Sequence, residues 1–252
     1  MKWMTIAAVW VGAALVSSTA LASEAECEAA YVRAIDRMQF PDPVAGLDSL
    51  EPLQNRCLAE DRAWLSHLAI LNNLAGRAEV GEKIVADGLK ADPLNENLLL
   101  SQVYVLVRHK NFAGAAEVAQ RLMKAHPDWY GGYAGNQLAL INLGKFRESL
   151  DDGRKALSLS QGQVPMLYLN DAVANFRSDN LSACADEVVT AVAKDPSLAS
   201  MSWGIDEGIF ALAKLQRRRE ALDLAKRRIA ADQNWRNDPN MVRAAHVMGL
   251  DQ

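Results

Sequence analysis

Large apolar, small and polar residues recur in a fixed order along most of this chain. The phrase LMKAHP ends at Pro127, and similar phrases, GLKADP and AVAKDP, end at Pro93 and Pro196. Between Pro127 and Pro196, KALSLSQ ends at Gln161, where a proline would otherwise fall. A weaker copy, RIAADQ, ends at Gln233. Successive copies are therefore 34 to 37 residues apart. A period of this length predicts a chain built from stacked helical repeats.

Two columns of the repeat indicate how its helices pack. The residue 12 positions before each anchor is always small, and the residue 4 positions before it is always large and apolar. A small residue allows two antiparallel helices to approach closely, and a large apolar residue beside that contact is expected to fill the core. The small column is Gly81, Ala115, Ser149, Cys184 and Ala221, and the large column is Leu89, Met123, Leu157, Val192 and Ile229.

The pattern resembles the tetratricopeptide repeat, a helix-turn-helix unit of about 34 residues. Phe112 and Phe146 stand where that family places an aromatic at the start of the second helix, and Leu181 takes this place in the third copy. Gly144 matches the glycine of the turn between the helices. The Leu-Gly pair that is usual in the first helix is absent. The resemblance implies an all-α, right-handed α-solenoid of paired antiparallel helices with helical caps.

We interpret residues 62–235 as four to five such repeats. The number is a range because the last unit is longer than the period and lacks both the proline anchor and the turn glycine. The stretch QRRRE at 216–220 is expected to form the turn of that last unit. The predicted units are 62–93, 94–127, 128–161, 162–196 and 197–235.

Helical caps are expected at both ends, because a solenoid otherwise leaves its terminal apolar faces open. The N-terminal cap is residues 23–61 and the C-terminal capping helix lies in 236–252. The C-terminal helix should begin at Asp238-Pro239, a cap residue followed by proline, and end near Gly249. In the N-terminal cap we expect helices at 27–39 and 48–60, separated by the breaker PDPVAG at 41–46.

Residues 1–22 have the composition of a secretory signal peptide. Lys2 precedes an apolar run at 3–16, and Ala-Leu-Ala ends at Ala22 before Ser23. The polar residues 17–19 interrupt the apolar run before it reaches the roughly 20 residues that a membrane span needs. We therefore expect cleavage after Ala22, no stable membrane span afterwards, and a periplasmic or secreted mature protein.

Composition and motifs do not favour catalysis or nucleic-acid binding. The formal net charge is −4, whereas nucleic-acid binding relies on a basic surface. The four histidines are scattered, and HExxH, CxxC, P-loop and GxSxG motifs are absent, so we predict no metal, no cofactor and no enzyme. Six arginines make the last unit locally basic, which indicates a solvated helix face or a site for an acidic partner. They are Arg217, Arg218, Arg219, Arg227, Arg228 and Arg236.

The three cysteines have different expected roles. Cys184 belongs to the small-residue column, so it should be a buried free thiol. Cys27 and Cys57 fall on the two expected helices of the N-terminal cap, at comparable distances from the breaker, so a disulfide between them is expected in an oxidising compartment. The alternative is two further free thiols in the core, because a compartment alone does not align two cysteines.

The family resemblance implies a concave groove, lined by the first helix of each unit, that holds extended peptides or helices of partner proteins. Amide, aromatic and guanidinium groups in such a groove suit backbone hydrogen bonding and apolar anchoring. The neighbouring Ile70, Leu100 and Leu138 could equally pack against adjacent helices. The residues assigned to the groove are Asn73, Tyr104, Arg108, Asn142, Tyr168 and Asn175.

The sequence thus predicts an exported adaptor that mediates protein–protein interactions in a bacterial-type cell-envelope assembly, such as secretion, pilus, cell-wall or outer-membrane machinery. The alternative is a periplasmic protein that binds a small ligand or a peptide in the groove. An enzyme with its chemistry in the caps is less favoured, because the caps hold few clustered titratable residues. The partner's identity and the oligomeric state are left open by the sequence.

Overall fold

The computed structural model describes residues 25–27, 29, 43–50, 63–231 and 235–249, and throughout these residues the regular structure is helical, without a strand. The α-helices in these ranges are α1 (Pro43–Leu50), α2 (Ala63–Leu74), α3 (Ala78–Ala91), α4 (Glu96–Arg108), α5 (Phe112–Ala125), α6 (Tyr130–Asn142), α7 (Phe146–Leu159), α8 (Met166–Arg177), α9 (Leu181–Lys194), α10 (Ile205–Lys214), α11 (Arg218–Ala231) and α12 (Pro239–Met248).

Helices α2 to α11 form consecutive antiparallel pairs, and each pair lies inside one predicted unit. The first helix of a pair packs on its own second helix, on the second helix of the preceding pair and on neighbouring first helices, as α6 does with α7, α5 and α4. This arrangement is the right-handed α-solenoid that the resemblance to tetratricopeptide repeats implies. The first helices α2, α4, α6, α8 and α10 line one face, and the second helices line the other.

Each pair turns through a residue with positive φ. Gly76 and Gly144 adopt this left-handed conformation, but so do Lys110, Asp179 and Gln216. The same two backbone hydrogen bonds close every turn; in the third pair Gly144 N donates to Ile141 O and Lys145 N donates to Leu140 O. Backbone bonding therefore sets the turn even where glycine is absent. The last turn ends before Arg218, so the expected turn at 216–220 was placed too late.

The small-residue column is buried in all five units, with Ala115, Ser149, Cys184 and Ala221 fully enclosed. The large column was assigned one position too late, because apart from Val192 its members are only half-buried. A residue 7 positions after the small one returns to within about 20° of its face, whereas 8 positions displace it by about 80°. The core positions are therefore Leu122, Ala156, Ala191 and Arg228.

Intramolecular contacts use most of the C-terminal arginines. Arg217 pairs with Asp186 and Glu220, and Arg227 pairs with Asp223. Arg218 donates to the carbonyl oxygen of Met248, and buried Arg228 pairs with Asp206. These contacts favour the structural interpretation of the basic stretch over a site for an acidic partner.

The caps differ in how well the sequence located them. Asp238 caps α12 by accepting from Asn240 N and Met241 N, and Gly249 ends the helix with φ +70°. The expected breaker at 41–46 is wrong from Pro43 onwards, because α1 begins there. Proline is tolerated in a first helical turn, where its missing N–H has no partner to lose. The predicted helix at 27–39 lies largely outside the described residues, as does most of 48–60.

The structure resolves two of the three cysteine environments. Cys184 is a fully buried free thiol, as expected, and burial raises its pKa to about 12, so it carries no thiolate at neutral pH. Cys27 is disulfide-bonded. Cys57 lies outside the described residues, so its pairing with Cys27 stays a prediction, as does the signal peptide at 1–22. Among the described residues no helix is both long and apolar enough to cross a membrane.

Candidate partner-binding groove

Four of the six residues assigned to the groove line one cavity of about 440 Å³. Asn73 comes from α2, Tyr104 and Arg108 from α4, and Asn142 from α6. These helices are successive first helices of the solenoid, so residues 34 or 35 positions apart in sequence meet at one surface. The remaining lining is Ile70, Leu74, Val107, Lys110, Phe112, Leu138 and Trp203.

The floor of the cavity is apolar. Ile70, Tyr104 and Leu138 occupy the same helical position in three successive units, six residues before the left-handed turn residue. All three side chains are partly exposed rather than sealed in the core. Ile70 and Leu138, which could have served packing alone, are thus part of the surface open to a ligand. An apolar floor with a few polar groups around it is typical of binding sites.

Trp203 forms a wall that sequence reasoning missed. It lies in the connection between α9 and α10, which also contains the 3-10 turn Pro196–Ser200. Its indole N–H donates to Asn170 Oδ1 at 2.9 Å, and the Arg177 guanidinium lies 5.8 Å from the ring centroid. The sequence signal for this connection was the last spacing of the repeat, which is 37 residues instead of 34 or 35. Extra residues between two repeats must form a connection outside the helix pairs.

A buried polar chain holds Trp203 in place. Asn170 accepts from Trp203 and donates to Gln137 Oε1 at 3.3 Å, and Gln137 Nε2 donates to Asp171 Oδ1 at 2.5 Å. Gln137 is fully buried and the other two are nearly so. Gly153 makes the room, because a Cβ atom at that position would clash with Asp171 Oδ1. The wall of the cavity is therefore tied to α6 and α8 by hydrogen bonds.

Burial raises the pKa of Asp171 to about 7, and the charge of Glu187 adds to this effect. The hydrogen bond from Gln137 and the more distant Arg154 guanidinium act in the opposite direction. Asp171 is therefore the member of the polar chain whose charge changes near neutral pH. It lies behind Trp203, three hydrogen bonds from the cavity.

Tyr168 and Asn175 do not line the cavity. The Tyr168 hydroxyl lies beside Gly162, and its ring lies 5.6 Å from Lys194 Nζ, at the junction of the third and fourth pairs. Asn175 is 6 % exposed, and its Oδ1 accepts from Asn180 in the turn between α8 and α9. Both residues lie at other helical positions than the lining residues, because they precede the left-handed Asp179 by 11 and 4 residues, whereas the lining residues of α2, α4 and α6 precede their turn residues by 2, 3 or 6.

Two amide side chains, Asn73 of α2 and Asn142 of α6, line the cavity. Asn142 donates from Nδ2 to Leu138 O at 2.8 Å. Asn73 donates from Nδ2 to Ala69 O at 3.4 Å, while its buried Oδ1 has no hydrogen-bond partner. Asn73 is only 4 % exposed, and Gly81 leaves it room, because a Cβ atom there would lie 2.8 Å from Nδ2. The Asn73 oxygen is enclosed by the fold, as are the unpaired side-chain oxygens of Asn72 and Asn136, so Asn73 contributes to the packing beside the cavity rather than an accessible acceptor.

The polar lining of the cavity carries positive charge only. Arg108 and Lys110 are exposed, and no aspartate or glutamate is among the lining residues. Burial raises the pKa of Tyr104 to about 12, helped by Tyr130, so its hydroxyl stays neutral. Within the described ranges no group of three His, Cys, Asp or Glu side chains could hold a metal ion.

A second cavity of about 710 Å³ lies on the opposite face, between α9 and α11. Its lining includes Val189, Val192 and Leu222, together with charged residues of α11 such as Arg219 and Asp223. It contains none of the residues assigned to the groove.

Comparison with known proteins supports the fold. No family profile and no curated protein matches the sequence. The structure is similar to TTC0263, a thermophilic TPR protein of Thermus thermophilus, with a TM-score of 0.59, 16% identity, and coverage of 74% of this chain and 98% of that one. It is also similar to a tetratricopeptide repeat protein from Parabacteroides merdae, with a TM-score of 0.52, 14% identity, and coverage of 90% and 86%. The chain has the tetratricopeptide-repeat fold.

Proposed function

We propose that this protein is an exported adaptor that holds a segment of a partner protein in the groove formed by α2, α4 and α6, within a cell-envelope assembly. The observation that carries the proposal is the cavity itself. The first helices α2, α4 and α6 and the turn after α4 bring apolar side chains, two amides and two cations to one surface, which is also lined by Trp203, held by its hydrogen bond to Asn170. Amides that accept or donate to a peptide backbone and an apolar floor that takes side chains are what extended-peptide recognition requires.

Export is supported by the order of charge, apolar run and Ala-Leu-Ala in residues 1–22. N-terminal sequencing of the protein recovered from cells should begin at Ser23. Recovery of the Met1-Lys2 start would contradict export by this route.

Site-specific photo-crosslinking in living cells tests the adaptor function. A photoreactive amino acid at position 108 or 110 should crosslink to the same envelope protein, because both positions border the cavity. The matched control is position 147, which is exposed on the second helix α7 and outside the cavity. A partner that crosslinks equally from position 147 would place binding elsewhere.

The volume of the cavity also falls in the range of small-ligand sites, about 300–1,000 Å³. Native mass spectrometry of the purified protein separates the two functions. A bound small molecule that is lost in a Trp203→Ala variant would favour ligand binding, whereas a ligand-free protein that crosslinks to a polypeptide favours the adaptor.

A further inference from the structure

The charge around the cavity differs from that of the whole chain. The chain carries a formal net charge of −4, yet the titratable side chains that line the cavity, apart from neutral Tyr104, are Arg108 and Lys110. Both are exposed, and within the described residues neither side chain forms an ion pair with a carboxylate. By contrast, three arginines of α11 and the turn before it are paired within the fold. A basic rim on an acidic protein favours a ligand with carboxylates.

The shape of the cavity adds a second requirement. Ile70, Tyr104 and Leu138 line the cavity together with Trp203. Because the Trp203 indole N–H is already bonded to Asn170, the ring offers the cavity apolar surface rather than a donor. A space bounded in this way is filled best by a large aliphatic or aromatic side chain.

An amide adds a third requirement. Asn142 lines the cavity and is partly exposed, and its Nδ2 donates to Leu138 O, so Oδ1 is the atom that it can offer a ligand. A backbone N–H of an extended segment can donate to such an acceptor, whereas an apolar molecule cannot.

We propose, resting on the adaptor function above, that the cavity selects an extended acidic segment of the partner. A large apolar side chain fills the space between Tyr104 and Trp203. An aspartate or glutamate within about three residues of it meets Arg108 and Lys110, since three extended residues span roughly 10 Å. A backbone N–H group of the segment donates to Asn142 Oδ1.

Selection from a random dodecapeptide phage library on the full-length purified chain tests this specificity. Enriched peptides should place Asp or Glu within three positions of Phe, Trp, Tyr, Leu, Ile or Met. A labelled synthetic copy of an enriched peptide, and a copy with Asn or Gln for its acids, are then measured by fluorescence anisotropy at low and high salt.

The double variant Arg108→Gln, Lys110→Asn removes both cations of the cavity. It should lower the affinity for the acidic peptide by about 5-fold at low salt, and much less at high salt. The same variant should leave the affinity for the Asn/Gln copy of the peptide unchanged. Arg147→Gln, which removes an exposed cation on α7, is the control and should change neither affinity.

The outcomes separate this inference from the adaptor function. Trp203→Ala should weaken the binding of both peptides. If that variant loses its helical circular dichroism, Tyr104→Ala tests the same surface. Peptides that need Trp203 or Tyr104 but show no acidic preference, or no response to the rim variant, would overturn the acidic specificity and keep the peptide-binding groove. Peptides that bind all variants equally, or the absence of any enriched peptide, would overturn both.

Discussion

Arg228 and Asp206 form a buried, two-point ion pair between α11 and α10. The Arg228 Nε atom donates to Asp206 Oδ1 at 2.9 Å, and Nη2 donates to Oδ2 at 3.4 Å. The two residues are 3 % and 1 % exposed. Arg228 occupies the core position that Leu122 and Ala156 fill in earlier units. The last unit therefore holds a charge pair where the others hold apolar side chains.

Removal of the guanidinium should be costly, because it leaves a buried carboxylate without its partner. We expect Arg228→Ala to lower the free energy of unfolding by about 3–5 kcal/mol. Arg227→Ala is the matched control, since it breaks an exposed pair with Asp223 and should cost only about 0–1 kcal/mol. Urea unfolding followed by circular dichroism measures both. A loss for Arg228→Ala as small as that expected for the control would show that the buried pair contributes little to stability.

The left-handed turn residues predict substitutions of opposite sign. Gly144 has φ +75°, and a Cβ atom there would meet nothing within 4 Å. Gly144→Ala should therefore lower the free energy of unfolding by about 1 kcal/mol through backbone conformation alone. Gln216 has φ +60° at the same place in the last turn, so Gln216→Gly should raise it by about 0.5 kcal/mol. Thermal unfolding of both variants checks the signs, and a stabilised Gly144→Ala would contradict the turn geometry.

The repeat period and the small-residue column were enough to predict the helix pairs and their close contacts. Both depend on local chemistry, because a small residue is needed wherever two helices touch. The core positions of the second helices were displaced by one residue, since the sequence shows which residues are apolar but not the angle at which the helix meets its neighbour. Arg228 illustrates the limit, because a buried arginine becomes recognisable only once Asp206 lies opposite it.

The candidate groove was predictable only as far as the repeat is regular. Asn73, Tyr104, Arg108 and Asn142 follow the period and meet in the structure. Trp203 lies in a connection outside the period, and its distance from these residues in sequence is bridged only by the tertiary fold. Tyr168 and Asn175 precede the left-handed Asp179 by 11 and 4 residues, whereas the lining residues of α2, α4 and α6 precede their turn residues by 2, 3 or 6. They therefore lie on other faces of the helix, because the fourth unit is one residue longer than the period that placed them.

The stability of the protein should depend on pH through Asp171. Its folded pKa of about 7 lies above the usual value near 4 for an unfolded aspartate. The native state then holds the proton more tightly, so this contribution is complete below about pH 4 and is lost as the pH rises through 7. Asp171→Asn removes the ionisation and keeps an acceptor for Gln137. Its free energy of unfolding, relative to the unmodified protein, should rise by about 1–3 kcal/mol between pH 5 and pH 8.

The matched control for Asp171 is Asp128→Asn, at an exposed position in the turn before α6. Its free energy of unfolding should differ from that of the unmodified protein by the same amount at both pH values. An Asp171→Asn variant that behaves in this way would show that the buried carboxyl does not titrate in this range.

The cysteines give a test of both the cap and the export route. Cys184 is buried in the small-residue column, and Cys27 is disulfide-bonded. We predict that Cys57 is the partner of Cys27, so that the bond closes a loop of 30 residues within the N-terminal cap. In the chain-entropy account such a loop stabilises the fold by about 3–4 kcal/mol.

Alkylation under denaturing, non-reducing conditions should label one thiol, at Cys184. Peptide mapping of the unreduced protein should join the peptides that contain Cys27 and Cys57, and reduction should lower the free energy of unfolding. Cys184→Ala serves as the control, because it removes the one expected label and leaves the joined peptides in place. Three labelled thiols in protein recovered from the envelope would contradict the disulfide. A label at Cys57 together with a protected Cys184 would instead show that the buried column position had been exposed and paired.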